Sequence, residues 1–355
     1  MKIAFVTRNC RVGGPATFTY RSGLGLMARG HEVHVFAQGG GMAARMRKAG
    51  IHVHTVAPSP LNRLNLLWNF RGGFDVIHAC NSTAGDDVLW ALRKAKLDIP
   101  WVMSVHGVLP PSVTSAAQNP SFAAARELIT FDQTALQRLE ALPDLNRRVC
   151  HVPRPVEKRE VPGNGANKRD LVMISRLSKT KGKGALAAID AVERLNNFDG
   201  KLTIVGDGSL LPKIQKRAAQ INADKGKTLV EAVGAQTDPF PIMANAAGVI
   251  GTAYVALEAL FHEIPVVAAG YEGYGAVTAA NLRDAVDCNF GDSLPGKHVE
   301  ITADLLSDGL SSVLGHFQTS EGKAELQSMR EDLEKVHSIQ NVAEQLEAVY
   351  ACAQP

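Results

Sequence analysis

The chain has no apolar run of the roughly 20 residues needed to cross a bilayer as a helix, and its start, Met1-Lys2-Ile3-Ala4-Phe5-Val6, is interrupted too early by Arg8 and Arg11 for a secretory signal. It has no C-x-x-C pair. Its five cysteines (Cys10, Cys80, Cys150, Cys288, Cys352) are odd in number and scattered, which argues against a disulfide framework or zinc knuckle and for a reducing, cytoplasmic setting. There is no internal repeat, no low-complexity tract and no G-x-G-x-x-G fingerprint, which weakens a nicotinamide reading. No Asp-x-Asp pair is present to hold a catalytic metal, and no aromatic-interleaved basic stripe to read nucleic acid.

What remains is ordinary for a globular enzyme: 45% hydrophobic and 21% charged residues over 355 positions, more than one core comfortably serves. The net charge of +3 hides an asymmetry. Residues 1–150 hold 17 Lys/Arg against 9 Asp/Glu, a net of +8, and the remainder 21 against 26, a net of −5. A basic half of this kind suits a phosphorylated substrate or an anionic lipid surface.

Short apolar runs alternate with helical patterns along the whole chain. Strands are expected at 3–7, 32–37, 52–56, 76–79, 101–105 and 148–152, with helices between them, including 17–29, 42–49, 83–95 and 122–141. After His151-Val152-Pro153-Arg154-Pro155 and the Gly163–Asn167 cluster the alternation restarts: strands at 171–175, 202–205, 229–233, 248–251 and 266–269, helices at 185–195, 211–222, 242–247 and 255–261. Such alternation calls for parallel sheets with crossover helices. The reading is α/β, two facing Rossmann-like doubly wound domains with a cleft between them: an N-terminal domain at 1–152, a linker at 153–169, a C-terminal domain at 170–335, and a C-terminal helix at 336–355 that packs back toward the first domain. The last amphipathic pattern, 324–351, is expected to break near His337-Ser338.

Several strand ends carry chemistry. Gly13-Gly14 follows the first strand, where a helix N-terminus and an unobstructed backbone suit an anion; a plain turn explains the pair equally well. His78 and His106 each end a strand, on the side where open α/β sheets bind ligands. Arg176, Lys181 and Gly182 follow the first strand of the second half, a bidentate cation and a mobile one before a helix, suited to a diphosphate. Lys179 and Lys183 read as a solvated basic loop. Val205-Gly206-Asp207-Gly208 is a strand ending in a glycine turn, where Asp207 either meets a ligand or caps its own turn. Gly248–Gly275 contains a single helical carboxylate near its middle, Glu258, read at a helix N-terminus where it is favoured and can accept hydrogen bonds from a diol such as ribose. Finally, 61–73 (LNRLNLLWNFRGG) is a basic, aromatic amphipathic segment that either packs on its domain or lies on an anionic membrane.

In order and spacing these segments resemble the family-4 glycosyltransferases, whose motifs read G-R-L-x-x-x-K-G, L-x-I-V-G-D-G-P and E-G-F-G-x-x-x-L-E-A-x-x-x-G-x-P-V-V. The resemblance extends over most of the chain and is strongest at 171–208 and 248–270. Ser175 stands in place of a glycine, and Ile250 stands where the family carries its first glutamate. The resemblance implies the GT-B fold and a retaining, metal-independent transfer of sugar from a nucleotide diphospho-sugar, a UDP-sugar for preference, with no other cofactor. It implies that Arg176 and Lys181 stabilise the leaving diphosphate and that Glu258 binds the ribose. His106 and the Gly13-Gly14 turn would position the sugar. Gly182, Gly206, Asp207, Gly251 and Thr252 complete the expected donor site, with the Thr252 hydroxyl or the backbone of Gly251 and Thr252 replacing the missing glutamate. The acceptor is open; cell-envelope glycan or glycolipid synthesis, with peripheral membrane contact through the basic half, is the expectation. Two other readings stay open: a sugar-nucleotide epimerase of the same architecture, and a nucleotide-sugar-binding protein without turnover.

Overall fold

The computed structural model describes residues 1–107, 112–160, 169–292 and 299–354. It divides into two compact units, Met1–Glu157 with Val336–Pro355, and Lys158–Lys335.

In unit 1, strands β1 (Lys2–Asn9), β2 (Glu32–Gln38), β3 (His52–Thr55), β4 (Val76–Ala79), β5 (Trp101–Ser104), β6 (Glu127–Thr130) and β7 (Arg148–His151) form one sheet of order β3-β2-β1-β4-β5-β6-β7. Every pairing is parallel. The crossovers carry α1 (Gly14–Ala28), α2 (Gly41–Lys48), α3 (Asn62–Phe70), α4 (Ser82–Ala95), α5 (Pro120–Ala124) and α6 (Gln133–Glu140). Central strands such as β4 and β5 are buried at every residue, as a sheet covered on both faces demands. The expected helix at 122–141 is instead α5, β6 and α6. Glu127-Leu128-Ile129-Thr130 pairs with both β5 and β7, and Asp132 starts a new helix by accepting a hydrogen bond from Ala135 N–H at 2.8 Å. The sheet's need for a strand between β5 and β7 overrides a pattern that reads as continuous helix.

Unit 2 repeats the plan with β8 (Leu171–Ile174), β9 (Leu202–Val205), β10 (Val230–Gly234), β11 (Gly248–Gly251), β12 (Val266–Ala269) and β13 (Gly273–Ala276), in the order β10-β9-β8-β11-β12-β13. Its helices are α7 (Gly182–Arg194), α8 (Leu211–Lys225), α9 (Phe240–Ala244), α10 (Tyr254–Phe261), α11 (Leu282–Asp287), α12 (Ala303–Gly315) and α13 (Ser320–His337). Strand β13, which the sequence shows only as a glycine turn, runs antiparallel to β12. Helix α12 was also unforeseen, although Leu306, Leu310 and Val313 are spaced for its buried face and Thr302 caps it.

The last helix, α14 (Ile339–Cys352), returns to unit 1. Ser338 caps it, so the long C-terminal pattern does break at His337-Ser338. It packs on α1, where an added Cβ on Gly25 would lie 2.6 Å from the Ile339 carbonyl and 2.9 Å from Ala343. Residues 153–157, expected to open a linker, are part of unit 1: Val156 N–H donates to the His337 carbonyl at 2.7 Å and Arg154 is buried. The Gly163–Asn167 cluster lies outside the described residues.

Candidate functional site

In each sheet the strand order reverses once, between β1 and β4 in unit 1 and between β8 and β11 in unit 2, and the carboxyl ends of the strands beside that reversal are where such sheets bind ligands.

In unit 2 the loop after β8 carries Arg176, exposed, and leads into α7 at Lys181, which is only 7% exposed. The Lys181 ammonium donates to both carboxylate oxygens of Asp292, at 2.7 and 2.9 Å, and lies 4.4 Å from the centre of the Tyr271 ring. Arg176 Nη2 donates to the Tyr271 hydroxyl at 3.3 Å. Two cations and an aromatic ring from loops distant in sequence thus converge, with one carboxylate neutralising the inner cation. Lys179 and Lys183 are exposed.

The carboxylate is aimed by an unusual turn. Asn289, Phe290 and Gly291 all have positive φ, at 52°, 57° and 85°. Their conformation is held by Thr252, whose buried hydroxyl meets the Asn289 and Phe290 carbonyls at 3.1 and 2.9 Å. Ala253, between β11 and α10, sits at φ 52° and ψ −127°. Non-glycine residues in such regions cost on the order of 1–3 kcal/mol each and collect at functional sites. The expectation that the Thr252 hydroxyl grips a sugar is therefore corrected: its proton is committed to the backbone that carries Asp292.

Ile250 is also reassigned. It is fully buried within β11, between Met173 of β8 and Val267 of β12. It is a core strand residue rather than a sugar-facing one, and only Thr252 and Ala253 link β11 to α10. Glu258 is the fifth residue of the eight-residue α10, half-buried and beyond its first turn, so the helix N-terminus expected to favour it lies a turn away.

The glycines divide. At Gly206 φ is +150° and an added Cβ would fall 1.9 Å from the Ser175 carbonyl, so this glycine lets the β9 loop cross the β8 loop. A Cβ on Gly182 would press on the Leu177 carbonyl carbon at 3.0 Å, and one on Gly251 would strike Val255 at 2.4 Å. These three have packing reasons within the chain itself. Asp207 accepts from Gly208 N–H at 2.7 Å, the turn-capping alternative. Gly13 and Gly14 differ: both are exposed, and a Cβ on either meets nothing within 4 Å. They open the 15-residue α1, whose first turn has no acidic residue and no side-chain cap, leaving room for an anion or a sugar.

In unit 1, His106 follows β5 and is wedged between Phe18 of α1, at 5.5 Å between ring centres, and Phe131, at 4.4 Å. Its Nε2 shares a 3.1 Å hydrogen bond with the Ser104 hydroxyl. Burial, and then the nearby Arg154 guanidinium and His78, hold its pKa well below the usual imidazole value, so the ring is neutral at physiological pH. Arg154 itself is fixed by the Phe131 carbonyl at 3.0 Å and Asp132 at 3.3 Å. His78, expected as a ligand-lining candidate, is instead a core residue: fully buried, stacked on Phe5, and bonded through Nδ1 to the Tyr350 hydroxyl of α14 at 2.8 Å. Burial lowers its pKa to about 3.

Sequence reasoning missed Tyr271, Asp292 and Arg154. It also missed a group of potential metal ligands, Glu32, His34 and His52, at the other end of the unit 1 strands. The signal for the last was present: Glu32-Val33-His34 and His52-Val53-His54 each put two polar residues on one face of a strand. Among the described residues no helix is long and apolar enough to cross a membrane.

Comparison with known proteins adds to this geometry. Residues 12–160 match the family described as Glycosyltransferase Family 4, and residues 168–289 the family described as Glycosyl transferases group 1. No curated protein sequence matches the chain. Among solved structures, a glycosyltransferase from Rickettsia africae ESF-5 superposes with a TM-score of 0.73 at 16% identity, covering 99% of this chain and 98% of its own. HepE from Anabaena, in complex with UDP and glucose, gives 0.70 at 18% identity and 99% coverage of both chains. Sucrose-phosphate synthase from Thermosynechococcus elongatus gives 0.67 at 17%, covering 99% and 98%.

Proposed function

Because this chain belongs to the family-4 glycosyltransferases and has their GT-B fold of two Rossmann-like units, we propose that it transfers a hexosyl group from a UDP-sugar, with retention of configuration and without a catalytic metal. The observation that carries the reading is the convergence of Arg176 and Lys181 on Tyr271 after β8. Breaking the sugar–phosphate bond leaves charge on the diphosphate, and fixed cations aimed at that charge lower the barrier. Asp292 now neutralises Lys181. An incoming diphosphate competes with that carboxylate for the ammonium, so the site exchanges one anion for another and is never left as a bare buried cation.

Unit 1 supplies different groups. Neutral His106 and the open Gly13-Gly14 turn suit sugar hydroxyls, which need both donors and acceptors. Glu258 serves as the ribose ligand. Uracil as the donor's base is favoured by the HepE complexes with UDP, with UDP and glucose, and with UDP-glucose.

The acceptor is a glycolipid or cell-envelope glycan precursor met at an anionic membrane surface. Helix α3 buries Asn62, Leu66 and Phe70 and exposes Leu64 and Trp68, with Leu61 before it, at 57%, 68% and 65% respectively. Arg71 lies 4.9 Å from the Trp68 ring centre, and beside the helix a hollow of about 400 Å³ is lined by Arg63, Asp86, Leu89, Trp90, Arg93 and Lys94. An apolar ridge with cations beside it fits lipid with anionic headgroups. The five free cysteines suit a cytoplasmic setting.

The test is a thermal-shift panel of UDP-, GDP- and ADP-sugars followed by turnover with the ligand that binds. UDP-sugars should raise the melting temperature and release UDP when acceptor lipid is present. Epimer formation from the donor alone would establish the epimerase reading instead, and binding without turnover on any acceptor would leave a sugar-nucleotide-binding protein.

A further inference from the structure

We propose that Glu32, His34 and His52 form a binding site for a divalent transition-metal ion of the zinc type on the edge of the unit 1 sheet. The site follows from register. Strands β2 and β3 run parallel with His34 opposite His52 and Phe36 opposite His54, so Glu32, His34, His52 and His54 share one face. One ligand atom from each of Glu32, His34 and His52 lies within 4.8 Å of the other two. Around tetrahedral zinc, ligand atoms stand about 3.3 Å apart, so the exposed Glu32 and His52 side chains need shift by no more than about 1.5 Å, Glu32 opening slightly from His34, to complete three protein ligands. Water has access to the fourth position, because Glu32 and His52 are exposed while His34 is buried.

The support behind the ligands is already in place. His34 Nε2 faces Glu32 Oε1 at 2.7 Å, and its Nδ1 lies 2.8 Å from His54 Nε2. A metal-bound imidazole needs a partner for its second nitrogen to fix tautomer and ring plane, and His54 fills that place. The His54 ring is clamped on Phe36 with centres 4.5 Å apart, while His34 stacks on His52 at 4.7 Å and abuts Phe74 at 5.2 Å. Two imidazoles and a carboxylate suit zinc, cobalt or nickel rather than magnesium or calcium. The opposing group is Lys2, whose ammonium stands 4.0 Å from Glu32 and 5.0 Å from the Phe74 ring centre. It is on the surface and swings away as the metal displaces it.

The location sets the role. Glu32 and His52 begin β2 and β3, whereas His106 and Gly13-Gly14 follow the carboxyl ends of β5 and β1. In a parallel sheet those are opposite edges, so this metal takes no part in sugar transfer. It ties the four-residue edge strand β3 to β2, and its readout is stability.

The experiment uses the full chain without a histidine tag, with Cys352→Ser to remove the exposed thiol. Cobalt(II) is titrated by visible absorption and zinc by calorimetry and thermal shift. One equivalent should bind, the melting temperature should rise with zinc, and Glu32→Gln or His52→Ala should each weaken binding at least tenfold. His54→Gln, which leaves all three ligands, should weaken it by about tenfold or more. Absence of stoichiometric binding overturns the proposal. So does binding, or a zinc-dependent rise in melting temperature, that survives unchanged in the Glu32→Gln/His52→Ala double variant, whose exposed substitutions leave the fold intact.

Discussion

The two units share a sheet plan and differ in what they place at the strand ends. Around β8 and β12, unit 2 assembles permanent charge: Arg176, Lys181 and Asp292, held about Tyr271. Around β4 and β5, unit 1 assembles imidazoles kept neutral by burial, His78 and His106, packed among Phe5, Phe18 and Phe131. One plan thus yields a charged cluster at the strand ends of one unit and a neutral, aromatic-lined one in the other. The sheet fixes where the loops converge, and the loop residues fix the charge placed there.

The largest effect should come from breaking the charged side of this comparison. Lys181→Ala, or Arg176→Ala, should lower turnover of the UDP-sugar by roughly 10²–10³-fold, the cost of removing one charge-stabilising group. Steady-state UDP release measures it, and unchanged turnover in both variants would refute the site. Asp292→Asn acts oppositely on binding. With its carboxylate gone, Lys181 should bind UDP about tenfold more tightly by calorimetry, while the unliganded protein becomes less stable because a nearly buried ammonium loses its counter-ion.

The neutral side should fail with acid. His78 titrates near 3 and His337, buried against the Arg154 carbonyl, near 4, both below the unfolded value of about 6.5. The unfolded chain therefore binds more protons between those values, so this stability is complete above about pH 6.5 and is lost as pH falls toward 4. At pH 5 the loss is roughly 2 kcal/mol for each imidazole. All three tryptophans, Trp68, Trp90 and Trp101, lie in unit 1. Urea titrations followed by tryptophan fluorescence should show the midpoint falling from pH 7 to 5, and a flat profile would contradict the neutral-imidazole account.

The basic surface of unit 1 should give a smaller change. Trp68→Ala with Leu64→Ser should weaken binding to phosphatidylglycerol vesicles about tenfold, in line with the apolar area removed, while phosphatidylcholine vesicles bind neither protein. Equal sedimentation of the variant and the parent chain with anionic vesicles would leave α3 as ordinary surface.

Both sheets were legible because alternation of apolar runs with helical patterns is a local signal. Family membership was legible because Arg176, Lys181 and Gly182 keep their spacing in one loop. Strand β6 was hidden, since Glu127–Thr130 becomes a strand only by pairing on both sides, which no local window reports. Asp292 was hidden for the same kind of reason: it meets Lys181 from 111 residues away, through a turn in which two of the three positive φ values sit on non-glycine residues. Ile250 misled because spacing in sequence was read as position at the site, whereas the short β11–α10 connection leaves it inside the strand.

The smallest effect tests the most buried part of the neutral side. The Tyr350 hydroxyl meets His78 Nδ1 at 2.8 Å, and among the described residues His78 Nε2 has no partner. Tyr350→Phe removes the one hydrogen bond to a ring already half unsatisfied and should cost about 1 kcal/mol. His78→Phe orphans the phenol in its turn. Replacing both should be nearly neutral, because two apolar rings edge to edge keep the contact now spanned by centres 5.8 Å apart without leaving a polar atom in the core. The double variant should also lose the His78 share of the acid sensitivity while keeping that of His337. A double-mutant cycle in urea, repeated at pH 7 and pH 5, separates these contributions. If the two single losses simply add at pH 7, the His78–Tyr350 bond does not anchor α14.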